Sequence, residues 1–106
     1  MKPCYCTLCG EQLTAPQFFE GNAYGWSCIK KVNPSAKKQK YIQISVLKIE
    51  YRRNHIFGTF RQGRYTYTMQ GKVDNQGNFW VTEKSLVDFN RQLSGQRKIN
   101  IESLLG

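Results

Sequence analysis

From position 41 onward, apolar side chains recur at every second residue, the period of a half-buried strand. Ile42, Ile44 and Val46 share one face, and the pattern then shifts by one to Leu47, Ile49 and Tyr51. This predicts a single strand over 41–51 with a bulge or strong twist near Leu47. Arg52-Arg53-Asn54 turns the chain, and residues 55–61 form a second strand in which Gly58 marks a bulge or a close backbone approach. After a short turn at Gln62-Gly63, residues 64–72 alternate: Tyr65, Tyr67 and Met69 on one side, Arg64, Thr66, Thr68 and Gln70 on the other. Asp74-Asn75-Gln76-Gly77 is a strong turn signal, and residues 78–81 supply a fourth strand.

The period then changes. Thr82 is a good N-cap, Glu83 suits the first helical turn, and Leu86, Phe89, Asn90 and Leu93 fall at helical spacing, with Gly95 as the stop. The tail, 96–106, carries Ile99 and Ile101, then Leu104 and Leu105. That pattern suits an added strand, a docked tail or a partner-binding segment. Ahead of the strands, residues 1–29 hold all the cysteines with Gly10, Gly21 and Gly25, as in a loop-rich module. Residues 30–40 form a basic connector, where Asn33-Pro34 ends any short helix begun near Cys28. No internal repeat is present. The expected fold class is α+β: an N-terminal zinc knuckle, a four-stranded antiparallel β-meander and a C-terminal helix. The expected division is 1–40 for the knuckle with its connector and 41–106 for meander and helix, packed as one compact domain.

Composition adds little until charge and cysteine are placed. The chain has 106 residues, the size of one domain, with 40% hydrophobic and 13% aromatic residues, so global disorder is excluded as an expectation. No segment approaches the ~18 consecutive apolar residues of a spanning helix, and the first residues lack a signal-type apolar stretch. The expectation is a cytoplasmic protein without a membrane partner, where thiols stay reduced and serve as metal ligands rather than disulfides.

The net charge of +9 is regional. Residues 29–72 hold eleven Lys and Arg against the single acid Glu50, or +10; the rest hold five bases against six acids, or −1. Such a concentration is the electrostatic footprint expected for a polyanion.

Cys6-Thr7-Leu8-Cys9-Gly10 is the central motif. Two thiolates separated by two residues grip one tetrahedral ion when a tight turn aims both sulfurs inward, and a glycine after the second permits the left-handed backbone of such a turn. Cys28 follows in Gly25-Trp26-Ser27-Cys28, near the start of a short helix whose dipole favours a thiolate. Two residues compete for the fourth position. Cys4 is tethered close by, although a one-residue gap between ligands strains the chelate. His55, the only histidine, lies at the start of a strand. Cys4 is preferred, because thiolate is the usual structural ligand. Zn²⁺ is the expected ion, on Cys4, Cys6, Cys9 and Cys28. The competing reading is buried free thiols or a disulfide such as Cys4 to Cys28.

These residues resemble the treble-clef and zinc-ribbon families, and more narrowly small phage or mobile-element zinc proteins that pair Cys-x-x-Cys-Gly-x-x-Leu with a glycine-preceded third cysteine. The matching positions are Cys6, Cys9, Gly10, Leu13, Gly25 and Cys28, within residues 4–31. The resemblance implies a metal site and little about activity. It departs from the pattern in lacking a second Cys-x-x-Cys.

A closed four-ligand site is structural. No His-x-Glu of the zinc deaminases precedes the cysteine pair, no βαβ context surrounds it, and no Gly-rich phosphate loop appears. The expectation is a non-enzyme. Basic and aromatic residues interleave from Arg52 to Lys72, which on a sheet face combines phosphate neutralisation with base stacking. The expected nucleic-acid contacts, to DNA or RNA, are Lys30, Lys31, Lys37, Lys38, Lys40, Arg52, Arg53, Arg61, Arg64, Tyr65 and Tyr67. No basic recognition helix is present, so binding is expected to be independent of sequence. The alternative reading makes the aromatics core and the basic face the meeting surface for an acidic patch on a host protein. The chain would then be an accessory protein that modulates or inhibits that host protein.

Overall fold

The computed structural model describes residues 3–105 of the chain, an α+β arrangement of short helices and antiparallel sheets. The N-terminal part is two hairpins and a helix. Strand β1 (Cys4–Tyr5) pairs with β2 (Gln12–Leu13), and β3 (Gln17–Phe19) pairs with β4 (Asn22–Tyr24). Helix α1 (Trp26–Val32) follows directly, with Gly25 as N-cap and Asn33 as C-cap, so the chain leaves helical geometry just before Pro34 as the sequence predicts.

Beyond the connector, β5 (Tyr41–Ile44), β6 (Lys48–Arg52), β7 (His55–Gln62), β8 (Tyr65–Val73) and β9 (Phe79–Thr82) form one sheet in the order β5-β9-β8-β7-β6. The expected single strand over 41–51 is therefore two strands, and the expected four-stranded meander is a five-stranded sheet. The change of hydrophobic phase at Leu47 is a break, not a bulge: β5 and β6 are consecutive in the chain but lie at opposite edges of the sheet. From Ile44 to Lys48 the chain takes four Cα steps, which reach at most ~14 Å. The edges of a flat five-stranded sheet stand ~19 Å apart. The sheet must curl to let so short a link join its two edges.

Curling makes an inside and an outside. Inside lie Ile42, Ile44, Phe60, Tyr67, Met69, Phe79 and Val81, closed by Leu86 from helix α2 (Glu83–Arg91) and by Ile99 from the tail. Thr82 caps α2 as predicted, its hydroxyl accepting from the Ser85 N–H at 3.1 Å. The helix ends at Arg91 rather than running to Gly95, which instead opens a 3₁₀ turn, Gly95–Arg97, with φ +58°. The tail docks: Asn90 takes the Ile99 N–H on its side-chain oxygen at 2.7 Å and donates to the Ile99 carbonyl at 3.1 Å. Asn90, the polar exception on the apolar stripe, is thus the clasp that seats Ile99 before α3 (Ile101–Leu105).

The N-terminal part covers the outside of the β5-β9 half of the sheet. Trp80 and Tyr41 point away from the core, against Cys4, Ala23, Leu13 and Phe18. Two polar clamps fasten this contact. The Gln17 side chain donates to the Gln39 carbonyl at 2.7 Å and accepts the Gln39 N–H at 2.9 Å. Asn78 donates to the Pro3 carbonyl at 3.2 Å. Among the described residues, none packs over the outside of β6, β7 and β8, whose outward side chains such as Arg52, His55, Arg61 and Gln70 are exposed. No helix among the described residues is long and apolar enough to cross a membrane.

Candidate metal centre and basic sheet face

The loop between β1 and β2 closes through the Gly10 N–H donating to the Cys6 carbonyl at 2.9 Å and the Cys6 N–H donating to the Glu11 carbonyl at 2.8 Å. Gly10 has φ +79°, the left-handed turn anticipated from its place after Cys9. The β3-β4 hairpin then returns the chain so that Gly25 packs on Leu13 and its N–H points at the Cys6 sulfur, 3.5 Å away. Cys28 is the third residue of α1, facing the same point. The sulfurs of Cys6, Cys9 and Cys28 consequently all lie within 4.8 Å of one another. Cys6 and Cys28 are buried beside Tyr24 and Ile29, while Cys9 is exposed.

Three sulfurs so gathered suit a thiophilic cation such as Zn²⁺. Burial would raise the Cys6 thiol, but N–H groups of Cys9, Gly25 and Leu8 outweigh it and bring Cys6 down to about 7. The Cys9 side chain, burial and the Cys6 sulfur push Cys28 up to about 11. The N–H groups and the crowding of the three sulfurs thus lower one thiol and raise its neighbour. A divalent cation reverses that balance by drawing charge onto every sulfur.

Neither expected fourth ligand joins this cluster. Cys4 is buried against Ala23 and Trp80. Burial pushes its thiol up to about 12, with the Asp74 carboxylate beside it adding to the rise. The Cys4 sulfur is not among the three that gather, so the expected assignment of Cys4 as the fourth ligand is not what the geometry supports. His55 sits on the uncovered face of the sheet, its Nδ1 2.9 Å from the Gln70 amide. Among the described residues, no further Cys, His, Asp or Glu completes the set.

The basic residues divide into two groups. Lys30 and Lys31 lie on the last turn of α1, and Lys37, Lys38 and Lys40 on the exposed connector. Lys30 and Lys38 both approach the Trp26 ring, at 4.8 and 5.9 Å from its centroid. The second group lies on the uncovered sheet face, which strand pairing defines. Lys48 pairs with Thr59, Glu50 with Phe57 and Arg52 with His55. Thr59 then pairs with Thr68, Phe57 with Gln70 and Arg61 with Thr66. The face therefore presents Lys48, Arg52, His55, Phe57 and Arg61, with Arg53 and Arg64 exposed at the two ends of β7. Glu50 is its one acid. Lys48 at 2.9 Å and Arg52 at 2.6 Å hold that carboxyl below its ordinary value.

Tyr65 and Tyr67 are not on this face. Tyr67 is 4% exposed, packs on Phe60 and Phe89, and donates its hydroxyl to the Arg97 carbonyl at 2.6 Å. Tyr65 faces the same inner side, with Arg97 over its ring at 5.5 Å. The expected stacking role of Tyr67 is thus corrected, because its strand parity carries it into the core, and Tyr65 shares that parity. The outward aromatic is Phe57, half-exposed, with the Arg52 guanidinium 5.2 Å from its ring and the His55 ring beside it at 6.4 Å. Sequence parity alone contained this signal, since Phe57 alternates with the inward Ile56 and Phe60. Compared with protein-family models, curated proteins and solved structures, the chain shows no match.

Proposed function

We propose that the protein is a zinc-binding module whose basic sheet face holds nucleic acid without regard to sequence. The observation that carries this reading is the composition of the uncovered face of β6, β7 and β8. Lys48, Arg52 and Arg61, with Arg53 and Arg64 at its ends, surround an outward phenylalanine, and Glu50 is the one acid among them. Cations set along a strand neutralise phosphates, and an exposed ring stacks on a base of any identity. Cys6, Cys9 and Cys28 would hold the ion, in the manner of the treble-clef and zinc-ribbon proteins that the motif resembles. The bound ion would supply cross-linking of a short, loop-rich segment whose own core is small.

Fluorescence anisotropy with a labelled single-stranded oligonucleotide tests this at graded salt. Affinity should fall steeply with salt, and Arg61→Ser with Arg64→Ser should reduce the slope by about one unit for each phosphate no longer neutralised. Phe57→Ala should weaken binding and leave the slope unchanged. Salt-independent binding, or none, would overturn the reading.

A second reading rests on a separate observation. Leu47 and Tyr51, on or beside edge strand β6, are 67% and 68% exposed. Large apolar side chains beside an unpaired edge suit a protein partner adding a strand there. A partner captured from host lysate that survives nuclease treatment would favour this accessory role.

A further inference from the structure

Where the N-terminal hairpin β1-β2 meets edge strand β5, a groove of about 660 Å³ opens. Its size is that of a small-molecule site, and it lies between two packed units, where such sites concentrate. Tyr5, Leu13, Tyr41 and Trp80 form an aromatic and apolar wall. Gln12 and Gln43 add amide groups, and β5, last in the sheet order, offers backbone groups on its free edge. Among the described residues of the lining, Lys40 is the only charged one. It forms an ion pair with Glu83 at 3.0 Å; both side chains are exposed overall, so the pair is a modest one, although the Glu83 Oε2 that takes part is shielded from water. Lys37 and Lys38 lead up to it along the connector.

We propose that this groove takes a nucleobase, with the attached phosphate on Lys40. The aromatic lining offers ring surface to a heterocycle, the amides and strand edge offer donors and acceptors to its rim, and Lys40 offers a cation to the phosphate in exchange for Glu83. The inference rests on the polyanion reading of the basic surface and names a site separate from the sheet face. Its chemistry is shared by a free mononucleotide and by one base splayed out of a single strand.

The test is an amide and indole NMR titration of the full chain. Trp80 and Trp26 are the only tryptophans, so their indole N–H signals separate groove from helix. Adenosine 5′-monophosphate should shift the Trp80 indole and the Gln43 amide saturably and leave the Trp26 indole in place. Adenosine without phosphate should bind about tenfold more weakly, and Lys40→Ala should show the same loss for the monophosphate, as expected for one charge-assisted contact. Thr14→Trp, at the exposed rim, should abolish the shifts while preserving the rest of the spectrum. A short oligoadenylate that shifts the same signals at lower concentration than the monophosphate identifies the strand as the source. Equal or weaker binding identifies the free nucleotide. If the monophosphate leaves Trp80 and Gln43 unmoved at millimolar concentration, the proposal is overturned. An oligonucleotide that shifts Phe57 and Gln70 but neither groove signal also overturns it, and leaves the sheet-face reading standing.

Discussion

Asp74 is a buried carboxylate, and its cost is offset only while every donor stays aimed at it. Trp80 Nε1 donates at 2.8 Å, Asn78 Nδ2 at 2.9 Å, the Asn78 N–H at 3.0 Å and the Gln76 N–H at 2.8 Å. Burial alone would raise this carboxyl, but those bonds outweigh it and hold it below its ordinary value. The sign follows: the contribution is fully present above the unfolded carboxylate range and is lost as pH falls through the depressed folded value. The melting temperature should therefore decline on acidification below roughly pH 4, and Asp74→Asn should show a shallower decline from a lower start. Asp74→Ala strands the Trp80 indole and Asn78 and should cost ~3 kcal/mol in denaturant titration. At the sulfur cluster, Cys9→Ser and Cys28→Ser should each abolish stoichiometric metal, about one ion per chain in elemental analysis. Cys4→Ser should retain the ion and lose stability instead. Loss of metal in Cys4→Ser would return Cys4 to the ligand set.

Among the elements, those with a local cause were legible in the sequence. The Thr82 cap and the period of Leu86 and Phe89 mark α2, and alternation marks β7 and β8. What failed was long-range. Nothing in 41–51 says that its halves part to opposite edges, because that is set by curling of the whole sheet. Tyr67 reads equally as stacking platform or core until pairing fixes which side of β8 faces Leu86. The cysteine spacing, by contrast, marked three of the four expected sulfurs, because a tight turn and a helix start are local devices. Two glycines let the Phe79 ring approach the sheet backbone closely. A Cβ on Gly71 would stand 2.4 Å from both the Phe79 ring and the Trp80 carbonyl oxygen, and one on Gly58 would stand 2.7 Å from that same ring. Gly71 is also where β8 passes from pairing with β7 to pairing with β9. Gly71→Ala should thus cost ~1–3 kcal/mol, since backbone blocks relief on one side. Tyr67→Ala should cost ~3–5 kcal/mol through its cavity. Phe57→Ala should cost far less. Equal losses at Tyr67 and Phe57 in thermal melts would contradict the assigned faces.

For the whole molecule, the question is whether metal segment and sheet melt as one body. The N-terminal hairpins have a small core of their own, built on Cys6, Tyr24, Cys28 and Ile29, and they shield Trp80 and Tyr41 on the outer sheet surface. Removing a bound ion would leave three crowded sulfurs, with the loop held by the Gly10–Cys6, Cys6–Glu11 and Thr7–Ala23 backbone bonds and the short β1-β2 pairing. If the loop opens, β1 loses its partner, Asn78 loses the Pro3 carbonyl, and the wall over Trp80 lifts away. The sheet then exposes a large aromatic side chain, each such surface worth ~1.5–3 kcal/mol in burial. Metal stability should therefore pass into the sheet, although every proposed ligand lies before residue 30. A chelator under reducing conditions should lower the melting temperature of the entire chain and keep a single transition. Trp26, in the metal segment, and Trp80, on the sheet, provide the two reporters: with either one replaced by Phe, the remaining fluorescence should change at the same temperature. Two separate transitions, with Trp80 unaffected by chelation, would mean that 1–40 and 41–106 are independent units and that the clamps at Gln17 and Asn78 contribute little.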